Sequence, residues 1–319
     1  MKISIVMTVY NGEKYLKEQL DSFLNQTVLP DEIIIADDCS SDKTIKILKE
    51  YNKNNFVKIK LFKNKYNLGF TKNFEKAISK STGDIIFLSD QDDVWYNNKI
   101  EIVVKKFKKN PKVNLIIHDA DLVDKNLKRN NISAIGQAIS GFNTTDVFIT
   151  GALTSFNKVL KKYLLPFPKN IISHDGFIHF VSKNLGTRMV INNKLQMIRR
   201  HSNNTSNWVA SSLKKINKFD VLKNQFFSKR AKNYNDKLEQ VKRMIDIIKK
   251  INSEKNIFSK KKLLTSLHDL QNQEIALKKR NLFENSNFFK KKLIAFELLV
   301  KNHYKYFNGL KSFIRDLLR

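Results

Sequence analysis

The sequence predicts a mostly parallel α/β fold with helices on both faces of the sheet, followed by a basic helical region. Three observations carry this. Short apolar runs alternate with amphipathic segments of helix length from the N-terminus to Ile117. Three of those runs stop abruptly at polar or acidic residues. From Ser211 onward Gly and Pro nearly vanish, and 27 Lys and Arg stand against 10 Asp and Glu, a net +17. We therefore divide the chain into an α/β domain over 1–210 and a helical basic region over 211–319. With 319 residues, 41% of them hydrophobic, the chain has enough apolar material for one large or two modest cores.

The elements follow in order. Residues 2–8 are a β-rich run, and Tyr10-Asn11-Gly12 is a turn signal. Leu16, Leu20, Phe23 and Leu24 share one helix face, and Pro30-Asp31 breaks the chain. Ile33-Ile34-Ile35-Ala36 reads as a strand buried on both faces, ending at Asp37-Asp38. Ser40, Ser41 and Asp42 offer N-caps for a helix over 43–53. A strand over 57–62 follows. Asn67-Leu68-Gly69 then turns into a helix over 71–80. Gly83 precedes a strand over 85–88, which ends in Asp90, Asp92 and Asp93. A helix over 97–109, closed by Pro111, and a strand over 113–117 complete the pattern, with His118-Asp119-Ala120-Asp121 at that strand's end.

In parallel sheets, ligands bind beyond the carboxyl ends of the strands. Thr8, Tyr10 and Asn11, then Asp37 and Asp38, then Asp90 to Asp93 should thus converge on one cleft. Three carboxylates within four residues repel and raise one another's pKa, a cost that a hard divalent cation, Mg²⁺ or Mn²⁺, would relieve. Read alone, the same stretch would equally serve as a polar turn or a helix cap. No G-x-G-x-x-G follows the first strand and no P-loop occurs, which disfavours dinucleotide dehydrogenases and P-loop NTPases. A nucleoside diphosphate suits the pattern better. One Asp can accept from uracil or thymine N3–H, another can hold the ribose, and a cation can bridge the phosphates.

Composition bounds the partners. The one cysteine, Cys39, excludes a disulfide framework within the chain and predicts a reducing, cytoplasmic setting. The first residues read as no signal peptide, and no stretch approaches a membrane span, so a soluble or peripheral protein is expected. The net charge of +29 calls for an anionic partner: nucleic acid, a membrane surface or an anionic substrate. The nucleic-acid reading, a basic binding protein without transferase activity, is the alternative. No binding motif supports it, and the aromatics read as core stripes, so no nucleic-acid partner is expected. A nucleotidyltransferase would need a Gly-rich basic triphosphate loop that the chain lacks.

The residues resemble a known family. The stretches 5–13, 20–27 and 32–44, with Asn67-Leu68-Gly69, Gly83-Asp84 and Asp90-Gln91-Asp92-Asp93-Val94-Trp95, are similar to the opening of family 2 glycosyltransferases. These are inverting, nucleotide-sugar enzymes of GT-A fold. The form Ser89-Asp90-Gln91-Asp92-Asp93-Val94-Trp95 resembles the bacterial rhamnosyltransferase-like branch. The resemblance spans residues 1–205 and departs at Cys39, where many members have Gly. It implies a UDP- or dTDP-sugar donor and a glycan or lipid-linked glycan acceptor. It places Thr8, Tyr10, Glu13, Asp38 and Asp90 at the nucleotide, with Asp38 on the base N3–H and Asp90 near the ribose. Asp92 is then the main metal ligand, with Asp93 the alternative.

Inversion needs a general base opposite the departing diphosphate. The resemblance gives that part to Asp175, in Ile172-Ser173-His174-Asp175-Gly176-Phe177 ahead of a helix over 177–184; alone, Asp175 would read as an N-cap. His174 is expected to position the base, or else to be a polar residue at the helix start. Residues 151–156 are expected to supply acceptor-side backbone. Arg199 and His201, in Arg199-Arg200-His201, are expected on the diphosphate side, or else in a solvated basic loop. His118 to Asp121 is not assigned to metal.

In the C-terminal region Ile216, Phe219, Leu222 and Phe226 form one stripe, and Tyr304, Phe307, Leu310, Phe313, Ile314 and Leu317 another, with lysines among them. Such helices suit an anionic membrane surface, placing the protein peripherally on the inner face of the cell membrane. The same stripes would also suit packing within the protein.

Overall fold

In a computed structural model of the chain, the structure describes residues 1–54, 57–142, 150–169, 171, 173–202, 204, 212–217, 234–254, 258–307 and 309–318. They form a mixed α/β protein followed by helices. The described chain falls into two compact units, one of Met1–Phe167, Ser173–Ser182 and Thr187–Lys229, the other of Pro168–Ile172, Lys183–Gly186 and Arg230–Arg319.

The first unit opens with β1 (Ile3–Val9), α1 (Leu16–Leu24), β2 (Glu32–Asp37), α2 (Thr44–Asn54), β3 (Ile59–Lys63), α3 (Phe70–Lys80) and β4 (Ile85–Ser89). β1 pairs in parallel with β2 and β4, and β2 with β3. The isoleucine run of β2 is buried throughout, as its lack of alternation predicts. Val9 lies opposite Asp37 and Met7 opposite Ser89. The register therefore brings the polar ends of β1, β2 and β4 to one edge. Leu16, Leu20 and Phe23 of α1 pack on Met7, Phe87 and Trp95 to build the core beneath that edge.

The rest of the unit contains β5 (Val94–Trp95), α4 (Lys99–Lys109), β6 (Leu115–Val123), β7 (Arg129–Ser133), α5 (Ala134–Phe142), β8 (Thr154–Asn157), α6 (Lys158–Leu164), α7 (His174–Asn184) and β9 (Arg188–Arg199). The sheet runs β3-β2-β1-β4-β8-β6-β9-β5, with β7 on β6. β8 is antiparallel to both β4 and β6, whereas β9 runs parallel to β6. His118-Asp119-Ala120-Asp121 does not end a strand; it lies inside β6, which continues to Val123. The strand carries the two carboxylates because both are satisfied there, while among the described residues only Nδ1 of His118 has a partner, the Asp119 carbonyl at 2.8 Å. The Asp119 carboxylate accepts from the Ile135 amide, and Asp121 accepts from Tyr96 and Lys194.

The second unit holds α8 (Tyr234–Ser253), α9 (Lys260–Glu284), α10 (Phe288–Val300), a 3₁₀ turn His303–Tyr306 and α11 (Leu310–Leu317). Ser259 and Asn287 cap α9 and α10 with their side-chain oxygens. Arg280 of α9 is fully buried, forms a forked pair with Asp316 of α11, and donates to the Tyr234 hydroxyl. The expected stripe from Tyr304 to Leu317 is split by Gly309: Tyr304, Phe307 and Phe313 enter the core while Leu310 and Ile314 stay exposed. Of the other stripe, Ile216 is buried, and Phe219, Leu222 and Phe226 lie outside the described residues. No described helix is long and apolar enough to cross a membrane.

Candidate active site

The loops after β1, β2 and β4 are stitched together by side chains. Gln91 accepts from the Tyr10 amide at 2.9 Å and donates back to the Tyr10 carbonyl at 3.0 Å. A Cβ on Gly12 would lie 2.4 Å from the Gln91 side-chain oxygen, so only glycine allows this approach. Glu13 accepts from the Lys43 amide and Asp42 from the Glu13 amide, tying the first loop to the start of α2. Asp38 is buried, and its two oxygens accept from the Leu68 and Gly69 amides and from Asn64. It thereby holds the loop that enters α3. Cys39 follows at φ +69°, the left-handed region that favours glycine. Thr8 is half-buried at the end of β1, and the Tyr10 side chain is exposed.

The acidic loop divides its carboxylates between inside and outside. Asp93 is buried, accepting from Gln196 at 2.9 Å and from the Arg199 amide at 3.1 Å. Burial, then the charges of Asp92 and Asp90, push its pKa well above the ordinary carboxylate range. Asp92 is half-buried, and one of its oxygens lies 2.9 Å from His201 Nε2 and 3.2 Å from Asn204 Nδ2. Asp90 is half-buried too, and no described residue donates a hydrogen bond to its carboxylate. Its pKa is pushed up to about 7 by desolvation, by Asp92 and by Asp175. Asp175 therefore lies within electrostatic range of the loop, so the two halves of the expected site meet.

Asp175 sits in the first turn of α7. It accepts from the Gly176 amide at 2.7 Å and from the Gly151 amide at 3.3 Å. Burial works against its charge, but His174, Ser173 and the Gly176 amide outweigh it and hold the pKa below the usual value, so the group is ionised at neutral pH. His174 is buried and stacks on Phe74 at 3.9 Å. Among the described residues neither of its ring nitrogens has a partner. Burial lowers its pKa to about 4, so the ring is neutral at pH 7. A Cβ on Gly151 would meet His174 Nε2 at 2.7 Å, which makes glycine necessary beside His174 and Asp175.

Arg199 differs from the expectation of a diphosphate ligand. It is buried, and its guanidinium donates to the Asp92 carbonyl, the Lys125 carbonyl and Glu18 while lying over the Tyr15 ring. It anchors the acidic loop, because β9 enters the sheet beside that loop and turns this side chain inward. The neighbouring Arg200 is the arginine that feels Asp92 and Asp93 electrostatically from a less buried position. Sequence reasoning also missed Lys99. This lysine is fully buried at the start of α4, 2.5 Å from the Gln196 side-chain oxygen and over the Trp95 ring at 3.6 Å. Burial pushes its pKa well down, against the pull of Asp93 and Asp90. A lysine one residue into a surface helix carries no sequence mark of such burial.

Among the described residues no three His, Cys, Asp or Glu side chains gather as a closed metal site. Asp92 and His201 nevertheless offer an oxygen and a nitrogen donor side by side, beside the crowded charge of Asp90. The Asp92 carboxylate suits Mg²⁺ or Mn²⁺, hard cations that take one or two carboxylates and complete their shell with phosphate oxygens and water, whereas the His201 imidazole suits a softer metal than Mg²⁺.

The sequence profile described as Glycosyl transferase family 2 matches residues 4–164. The dTDP-rhamnosyl transferase RfbG of Shigella flexneri is 29% identical over 246 residues, 70% of this chain and 81% of that protein. The UDP-Glc:alpha-D-GlcNAc-diphosphoundecaprenol beta-1,3-glucosyltransferase WfgD of Escherichia coli is 28% identical over 159 residues, 50% of this chain and 55% of that one. Among solved structures, S. aureus TarS 1–349 in complex with UDP-GlcNAc superposes with TM-score 0.57 at 17% identity, over 99% of this chain and 82% of that one. At that identity the likeness shows the shared fold.

Proposed function

The chain belongs to glycosyl transferase family 2, and from that premise we propose that it is an inverting glycosyltransferase using a UDP- or dTDP-sugar. Membership removes the reading of a nucleic-acid-binding protein without transferase activity. The observation that carries the proposal is Asp90, a half-buried carboxylate that no described residue donates to and that stands within electrostatic range of Asp175.

Thr8, Tyr10, Glu13 and Asp38 form the nucleotide side, with Asp90 near the ribose. Asp92 would hold the divalent cation, with His201 beside it on the diphosphate side, and buried Asp93 supports the loop from within. When bound, the cation offsets the charge that builds on the diphosphate. Asp175 takes the proton of the acceptor hydroxyl as its oxygen bonds to the anomeric carbon, and the bond from that carbon to the diphosphate breaks with its electron pair leaving on the diphosphate. His174, neutral and packed on Phe74, fixes the start of α7 and so the base.

The name of RfbG supports dTDP-rhamnose as the first donor to test, and that of WfgD supports a UDP-sugar as the second and a lipid-linked glycan as the acceptor; a growing cell-surface polysaccharide is the acceptor we propose beside it. In this reading 1–210 is the catalytic domain and 211–319 attaches it to the inner face of the membrane. A thermal-shift screen of UDP-, dTDP- and GDP-sugars with Mn²⁺ tests the donor side. The reading expects a rise with UDP or dTDP compounds that depends on the cation; a shift with none of them would overturn it.

A further inference from the structure

The second unit exposes apolar side chains in an ordered way. On α10 Phe289, Leu293, Phe296 and Val300 recur at helical spacing and are 80%, 72%, 52% and 84% exposed. The opposite face of the helix is buried through Ile294, Ala295 and Leu298. Leu310, Ile314 and Leu318, on and just past α11, repeat the pattern. The two helices lie side by side: the Phe296 and Phe313 rings are 5.6 Å apart, and the Lys292 ammonium reaches the Leu317 carbonyl. The result is two adjacent helices that both expose large apolar side chains at helical spacing, the pattern that marks an interaction surface.

Its charges say what covers it. Lys290 and Lys291 follow Phe288-Phe289 directly, and Lys301, Lys311 and Arg315 stand along the two helices. The acids of this stretch are Glu297 and Asp316. Glu297 is paired with Lys279 and Lys301, and Asp316 is buried against Arg280. A second copy docked face to face would set lysines against lysines. An anionic bilayer instead accepts the apolar stripes among its acyl chains and the ammonium groups at its headgroups.

We propose that the face formed by α10 and α11 is the membrane-docking surface, and that its partner is a bilayer rich in anionic lipid. The inference gives the membrane placement above a surface, rests on that placement, and is independent of the sugar chemistry.

The test is cosedimentation of the full chain with vesicles of phosphatidylcholine alone or with phosphatidylglycerol. The wild type should favour the anionic vesicles by about tenfold or more, with the preference weakening in high salt. Phe289→Ser with Leu293→Ser should lose that binding by about tenfold, and Lys290→Glu with Lys291→Glu should lose the preference. Both variants should keep the wild-type melting temperature and nucleotide response, because Phe289, Lys290 and Leu293 are exposed, Lys291 is half-buried, and none of them belongs to the unit that carries the cleft. Equal sedimentation of wild type and variants would overturn the proposal, and so would a wild-type dimer in light scattering that Phe289→Ser with Leu293→Ser disperses. The nucleotide thermal shift fails or succeeds without vesicles, so loss of the donor reading would be seen separately.

Discussion

Two carboxylates at opposite edges of one sheet are treated in opposite ways. Glu32 opens β2 and is buried, yet it accepts from Ser4, from the Thr82 amide and hydroxyl, and from Lys60 at 2.6–2.8 Å. Burial alone would raise its pKa; the Lys60, Ser4 and Thr82 bonds win and bring it to about 2. Asp90 follows β4 at the other edge, its carboxylate receives no hydrogen bond from the described residues, and its pKa is pushed up to about 7. The first arrangement stabilises the fold, and the second leaves charge for something outside the chain to neutralise. The same contrast separates Arg280, forked onto Asp316, from Lys99, which is buried with its ammonium on Gln196, Ala152 and the Trp95 ring and is in direct contact with no carboxylate among the described residues.

The comparison can be broken at the carboxyl edge first. Asp175→Asn and Asp92→Ala are each expected to cut sugar transfer by about a thousandfold with the melting temperature preserved. Near-normal transfer by either variant would remove that residue from the chemistry. At the amino edge the effect should fall on stability instead. Glu32→Gln should cost on the order of 3 kcal/mol at pH 7, read from urea unfolding. Because the folded pKa of Glu32 lies below its unfolded value, this contribution is present above pH 4.5 and is lost as pH falls toward 2. The smallest effect has the opposite sign. Asp90 has a raised folded pKa, so its charge weakens the metal-free fold as pH climbs from about 4 through 7. Asp90→Asn should then stabilise the metal-free protein by about 1 kcal/mol at pH 8 and by nothing measurable at pH 4. Destabilisation by both Glu32→Gln and Asp90→Asn at pH 8 would erase the distinction between the edges.

Much of the first edge could be read in advance. The unbroken isoleucines of β2 carry their own burial, and an acidic cluster at a strand end is a local pattern. Asp92 and Asp175 came through family resemblance, since no spacing links residues so far apart. What escaped was what depends on tertiary approach. Gln196 carries no mark in the sequence and Arg199 reads as a diphosphate-side or loop residue, and only the pairing of β5 with β9 turns them onto Asp93 and the Asp92 carbonyl. Gln91 reads as a turn residue until Gly12 lets it reach Tyr10. In the helical region, periodicity found apolar faces but not which were covered. Phe313 is buried while Ile314, its neighbour, is exposed.

The central claim is that the cleft has a nucleotide-and-cation half on Asp92 and an acceptor half on Asp175. Calorimetric titration of UDP and dTDP with Mn²⁺ into wild type, Asp92→Ala and Asp175→Asn tests it most directly. Cation-dependent binding to the wild type is expected, with unchanged binding to Asp175→Asn and at least about tenfold weaker binding to Asp92→Ala. Equal affinity in all three proteins, or loss in Asp175→Asn alone, would contradict it.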